Sequence, residues 1–179
     1  MLTIHTADQL TPGDGRPPLP GGAVLVEGRQ IAAVEVYDDL AAAHPSARVR
    51  RWPGVLTPGL VDPHGPEILE QSYHPDPRED LGDEPLTGEA LKALDMTDAR
   101  WGASARRGVQ RLLAQGTVAV VGPLRRPAVI DAVHRSGLTI EHGLTETPLI
   151  PGTEATFAVF DTTECVATVI RGRLLHRRR

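Results

Sequence analysis

TPGLVDPHGPE, residues 57–67, decides how the rest of the chain is read. With the two residues before it, VLTPGLVD (55–62) has strand character, and the Pro-His-Gly-Pro run after it forces a turn. The turn is flanked by three side chains that can bind or move protons: Asp62, His64 and Glu67. What surrounds this strand-and-turn sets the architecture it belongs to.

Upstream, every signal is for β-structure. LTIH (2–5) reads as a short strand, and TPGDGRPPLPGG (11–22) is a Pro/Gly loop that neither a helix nor a central strand would accept. AVLVEGRQIAAVEVY (23–37) is two apolar runs joined at Glu27-Gly28-Arg29, a hairpin pattern. DDLAAAHP (38–45) gives one or two helical turns stopped by Pro45, and RVRRW (48–52) returns to strand.

Downstream, the acidic, Pro-rich QSYHPDPREDLGDEP (71–85) reads as a mobile surface loop, although loops of this length in compact domains are often functional. Thr87 fits as the N-cap of a helical region running to about Gln115. Its apolar face is Leu91, Leu94, Trp101, Ala105, Val109 and Leu112, with a possible break near Thr97-Asp98. Gly116 stands where a helix-ending glycine belongs. TVAVVG (117–122) is a β-branched run suited to a strand covered on both faces. PAVIDAVHRSG (127–137) is a short helix, and LTIEHG (138–143) is a further strand. Helix–strand–helix–strand order over 88–140 argues for parallel pairing with right-handed crossovers. From PGTEATFAVFD (151–161) through CVATVIRGRLLHR (165–177) only strands and turns recur. The fold class is therefore α+β, β-rich at both ends with α/β between.

The composition narrows the function classes. The 179 residues make one domain, or one with an elaboration, and with 3% aromatics the core must rest on Val, Leu, Ile and Ala. A net charge of −4 gives no global reason to expect nucleic acid or an anionic membrane as partner. The basic ending RGRLLHRRR (171–179) lacks interleaved aromatics and reads as a last strand plus a solvated tail. The lone Cys165 excludes an internal disulfide and reads as a buried, inert thiol. MLTIHTADQL is no signal peptide, and no apolar run approaches the roughly 20 residues that span a bilayer. The expected location is the cytoplasm. No GxSxG, GxxxxGK[ST], HExxH or GxGxxG motif is present.

Four stretches together resemble the amidohydrolase superfamily, particularly its imidazolonepropionase-like and aminodeoxyfutalosine deaminase-like members. GGAVLVEGRQIAAV (21–34) is similar to the N-terminal sandwich hairpin, and TPGLVDPH (57–64) to the entry into the first barrel strand. ARRGVQRLLAQGTVAVVG (105–122) resembles the first barrel helix and second strand, and PGTEATFAVFD with VATVIRGRLLHR the closing sandwich strands. The resemblance implies a small composite β-sandwich, residues 1–56 and 148–179, carrying an insert at 57–147. In the family that insert is a (β/α)8 barrel of about 250 residues. Residues 57–147 have room for about three βα units, an open remnant of a TIM-like barrel.

The resemblance also implies a metal site that begins with His-x-His, since residues two apart on a strand point to one side. Here His64 fills the first position and Pro66, which has no donor atom, the second. The later ligands would come from the missing barrel strands, and a catalytic zinc takes three protein ligands plus water. Asp62, His64 and Glu67 are the candidate site residues, His64 the candidate metal ligand, and Asp62 equally a backbone brace. His74 would join them only if the 71–85 loop folded back. Glu141-His142 at a strand end reads as a surface pair.

Two readings stay open. The first is an amidohydrolase-like protein without an intact metal site or other cofactor, which binds a small molecule or docks a partner and self-associates as a dimer. The second is a small hydrolase with zinc or iron, acting on C–N bonds of a cyclic amide, amidine or aminopurine-type substrate. A variant of the first has the chain supply only the sandwich half to a separate protein.

Overall fold

The structure is a computed structural model that describes residues 1–178. Arg179, the end of the expected solvated tail, lies outside the described residues. The chain divides into two compact units. The first comprises Met1–Leu60, Leu113–Val118 and the chain from Thr145 on; the second comprises Val61–Leu112 and Ala119–Leu144.

The first unit holds two sheets. β1 (Leu2–Thr6), β4 (Gly22–Glu27), β5 (Gln30–Val36) and β6 (Arg48–Arg51) form a four-stranded sheet in the order β5-β4-β1-β6. β2 (Gln9–Leu10), β3 (Leu19–Pro20), β7 (Val55–Pro58), β11 (Phe157–Asp161), β12 (Glu164–Ile170) and β13 (Arg173–Arg177) form a six-stranded sheet in the order β13-β12-β11-β7-β2-β3. The hairpin expected at Glu27–Arg29 is present, with β4 and β5 antiparallel around Gly28 at φ +61°.

Alternation along β4 explains the layering. Val24 and Val26 face Leu10, Leu56, Phe157, Val159 and Val169 in the core shared by the two sheets. Ala23 and Leu25 face the other way, where Leu40 of helix α1 (Tyr37–Ala43) covers them together with Ile4. Burying each such Val, Leu or Phe side chain is worth about 1.5–3 kcal/mol. A core poor in aromatics is thus assembled mainly from Val, Leu, Ile and Ala on facing strands, around Phe157 and Trp52. Cys165 sits at the start of β12, buried as expected, and that burial pushes its thiol up.

The second unit is α/β. β8 (Leu60–Asp62), β9 (Thr117–Val121) and β10 (Thr139–Glu141) form a three-stranded sheet in the order β10-β9-β8. Between them run α2 (Gly65–Leu69), a 3-10 turn at Pro77–Glu79, α3 (Gly88–Lys92), α4 (Asp98–Ala114) and α5 (Pro127–Ser136). β9 and β10 are parallel, as the element order predicts. The helical region expected from Thr87 is broken between Lys92 and Asp98. Thr87 precedes α3 without a side-chain capping bond, whereas the Thr97 hydroxyl accepts the Arg100 N–H at 3.2 Å and caps α4. Gly116 and Gly137, both at φ +85°, end α4 and α5 as expected. Among the described residues no helix is long and apolar enough to cross a membrane.

The first unit also buries polar side chains, among them His5. His5 on β1 is 2% exposed, and its ring packs edge-on to Phe157 at 5.0 Å and stacks near Trp52. The indole N–H of Trp52 donates to His5 Nδ1 at 3.3 Å, a bond that a neutral ring accepts. Burial, reinforced by Arg50 and Arg48, lowers the His5 pKa to about 3. Between about pH 3 and 6.5 the unfolded chain then binds a proton that the folded chain refuses. His5 therefore supports stability fully above pH 6.5, and that support is lost as pH falls toward 3. For one proton the slope is about 1.4 kcal/mol per pH unit. Denaturant melts at pH 7, 6 and 5 should show this acid slope in the natural chain and a flatter one in His5→Gln, whose amide oxygen still accepts from Trp52.

Candidate functional site

The turn after β8 is built by local hydrogen bonds. The Asp62 carboxylate accepts the backbone N–H of His64 at 2.8 Å, and its oxygen lies 3.4 Å from His64 Nδ1. Asp62 thus braces the turn, the alternative role expected for it. His64 is the residue before α2, with its side chain 67% exposed. Pro66 occupies the first turn of α2, where a missing N–H costs nothing. Gly65 is required there because a Cβ would lie 2.4 Å from the Val121 carbonyl oxygen of β9. Glu67, also exposed, is in the same first turn.

These residues do not fit the implied metal site. Among the described residues, no three His, Cys, Asp or Glu side chains gather in a set able to hold an ion. The Asp62 carboxylate is engaged by the His64 backbone N–H, Glu67 lies on the following helix, and His74 is enclosed elsewhere in the unit. His142 is exposed beyond the end of β10.

The 71–85 segment differs most from expectation. Instead of a mobile surface loop, Ser72, Tyr73, His74 and Pro75 are buried. Tyr73, 1% exposed, pairs with Leu86 through two backbone bonds of 2.8 Å. Its hydroxyl donates to Glu79 at 2.5 Å and accepts from Arg100 Nε at 3.2 Å. Arg100 also reaches the Glu79 carboxylate at 2.9 Å. The Tyr73 hydrogen bond, then the Asp76 N–H and Arg100, hold the Glu79 carboxyl below its usual range. Asp76 and Glu79 close a reciprocal capping box around the 3-10 turn. Arg107 ties this layer to α4 by donating to the His74 carbonyl at 2.7 Å and lying 3.6 Å from Asp76. The one signal for this clamp in the sequence is the spacing of Arg100 and Arg107, seven apart and so on one helical face.

His74 lies beneath α4. Its backbone N–H donates to the Ser104 hydroxyl at 2.9 Å, and Nε2 lies 2.9 Å from the Ile68 carbonyl. That contact places the ring proton on Nε2 and leaves Nδ1, buried, without a partner among the described residues. Burial lowers the His74 pKa, with Arg111 and Arg107 adding to it, so the neutral ring is favoured. Gly108 makes room for the imidazole: a Cβ there would be 2.7 Å from Nε2.

Beside this clamp the second unit has an open cleft of about 680 Å³ between α2, α3 and the start of α4. Its apolar lining is Leu91, Leu94, Met96 and Trp101, the last 5% exposed. Glu67, Glu70, Lys92 and Arg126 supply charge of both signs. The Arg126 guanidinium lies 4.3 Å over the Trp101 ring. Glu70 accepts the backbone N–H groups of Arg125 at 2.7 Å and Arg126 at 2.5 Å, fixing the entry to α5 against the cleft. Of the three candidates, only Glu67 lines this cleft. The volume lies within the roughly 300–1,000 Å³ of small-molecule sites.

With the geometry established, comparison with known proteins gives the family context. Residues 22–47, which include β4, β5 and α1, match the model of the imidazolonepropionase-like composite domain of bacteria. No curated protein sequence matches the chain. Among solved structures, the fold is similar to A. niger ochratoxinase, at 26% identity and TM-score 0.54 over 78% of this chain and 30% of that one. Helicobacter pylori aminofutalosine deaminase matches at 14% identity and TM-score 0.52, over 78% of this chain and 32% of that one. An adenosine deaminase from Xanthomonas campestris with bound zinc matches at 17% identity and TM-score 0.54, over 77% and 32%. The chain thus spans about a third of these structures.

The clamp can be tested directly. Gly108→Ala should push the His74 ring off the Ile68 carbonyl and destabilise the protein by about 1–3 kcal/mol, the usual cost of overpacking. Chemical melts with hydrogen exchange should show the loss concentrated at residues 72–76, while the exposed Gln110→Ala changes neither.

Proposed function

We propose that this amidohydrolase-like chain, similar in its composite domain to imidazolonepropionase-like proteins, is a small-molecule-binding module whose site is the α2–α3–α4 cleft. The observation that carries the reading is the cleft itself: an apolar lining of Leu91, Leu94, Met96 and Trp101 with Glu67, Lys92 and Arg126 at hand for a ligand's polar groups. A flat heterocycle with hydrogen-bonding edges matches that lining, the class to which imidazolones and aminopurines belong. Hydrolysis of a C–N bond in such a compound is the alternative. It would need metal ligands beyond Asp62, His64 and Glu67, which do not gather into a set able to hold an ion.

Self-association as a two-fold dimer belongs to the same proposal. β8 and β10 are the outer strands of a three-stranded sheet, and outer strands invite pairing or cover. Light scattering at micromolar concentration should then give twice the chain mass, and a monomer would remove this part.

The binding reading predicts saturable quenching of tryptophan fluorescence by an imidazolone or aminopurine, weakened about tenfold or more in Arg126→Ala. Quenching that is unchanged in this variant would place the ligand elsewhere. Metal analysis of untagged protein, natural and His64→Ala, separates the alternative. Equal metal content in both is expected; one equivalent of zinc or iron lost with His64 would favour the hydrolase.

A further inference from the structure

We propose that the first unit carries an anion-binding site at the mouth of its two sheets, between β6 and β13, that takes a compact phosphate group. The site is separate from the α2–α3–α4 cleft and does not depend on that cleft's role.

The placement follows from strand register. β6 is one of the two outer strands of the four-stranded sheet and β13 one of the two of the six-stranded sheet. β1 and β6 pair in parallel with Thr3 opposite Arg48 and His5 opposite Arg50. Residues opposite one another share a face of the sheet, and His5 faces the interior, against Phe157 and Trp52. Arg48 and Arg50 therefore project on the inner face, at the open side of the sandwich. From the other sheet, Arg177 places its guanidinium 5.7 Å from the Trp52 ring centre. Together with Trp52, Val49 and Leu174 these arginines line a cavity of about 260 Å³.

The charge there is uncompensated. The chain has 23 acidic residues and a net charge of −4, yet among the described residues none forms an ion pair with Arg48, Arg50 or Arg177. Burial, then Arg48 and Arg177, lower the Arg50 pKa, and Arg50 and Arg48 in turn help to lower that of His5. Inward-pointing charges on outer strands also discourage edge-to-edge pairing. That purpose needs one charge on each strand. It does not call for three guanidinium groups from two strands converging on one cavity over an aromatic floor, at the cost of mutual repulsion.

The chemistry selects the ligand. Guanidinium groups bind phosphate oxygens through paired N–H bonds, and several around one cavity suit a dianion better than chloride or a single carboxylate. The volume is below that of most drug-sized ligands, which points to inorganic phosphate or the head of a small phosphomonoester.

The test uses the full chain, with inorganic phosphate and phenyl phosphate as probes and sodium chloride at matched ionic strength as control. Calorimetric titration and thermal melts should show saturable binding and a raised Tm with phosphate and not with chloride. Binding should weaken roughly tenfold or more in Arg50→Gln and further in Arg50→Gln/Arg177→Gln. Without ligand, Arg50→Gln should melt no lower than the natural chain because a repulsion is relieved, so a folded variant is expected. Phenyl phosphate binding more tightly than inorganic phosphate would identify an ester over Trp52, and equal binding would identify free phosphate. A phosphate response no greater than that of chloride, or one that survives the double substitution, would overturn the proposal. So would a double variant that only self-associates beside a natural chain indifferent to phosphate, since the arginines would then be edge guards.

Discussion

Strand β7 is held on both sides, and the first unit depends on that double pairing. β2 runs parallel to it through Gln9–Val55 and Leu10–Leu56, and β11 antiparallel through Phe157–Pro58 to Phe160–Val55. Neither neighbour is near in sequence on both sides; one comes from the start of the chain and one from its last quarter. The pairing is reinforced by burial, because Leu56, Leu10, Phe157 and Val159 are in one core. Once Pro58 and Phe157 are joined, whatever lies between them must leave the sheet and return to it. The α/β unit is that excursion.

The excursion leaves through Gly59 and β8 into a turn whose parts now serve local structure. Asp62 holds the His64 N–H, Pro66 starts α2, and Gly65 allows the helix to pass close to β9. Hydrogen bonds and steric fit account for this turn without any ligand. The larger investment of polar interactions is in the layer formed by Tyr73, Glu79, Arg100 and Arg107, which holds residues 71–85 against α4 beside the Trp101 cleft. Burying the Tyr73 hydroxyl is favourable only when its bonds are made, and here it both donates to Glu79 and accepts from Arg100, whose guanidinium is half-buried.

Charge is distributed differently in the two units. In the second unit Arg100 and Arg107 are paired with carboxylates and a phenol. In the first, Arg48, Arg50 and Arg177 face one another across a cavity, with His5 kept neutral below them. Paired arginines of the first kind organise a fold, whereas convergent ones leave an electrostatic demand that a ligand can meet.

Much of this was legible in the sequence because it depends on neighbours in the chain. The β4–β5 hairpin, the stops at Gly116 and Gly137, the parallel β9–β10 pair and the buried Cys165 follow from alternation, left-handed glycines and β-branched runs. The 71–85 segment was not, because its acidic, Pro-rich composition resembles a solvated loop and its partners Ser104, Arg100 and Arg107 are some 20 to 35 residues away. Still longer separations hid the Glu70 contact with Arg125 and Arg126, 55 and 56 residues on, and the arginine cavity, whose lining comes from both ends of the chain. By itself the sequence determined the type of the longer strands and helices and the absence of a second donor at Pro66, while β2, β3, α2 and the 3-10 turn at Pro77–Glu79 carry no periodic signal. Only tertiary structure decided which charges meet, since ion pairing depends on separation in space, and folding brings together side chains whose spacing along the chain carries no period.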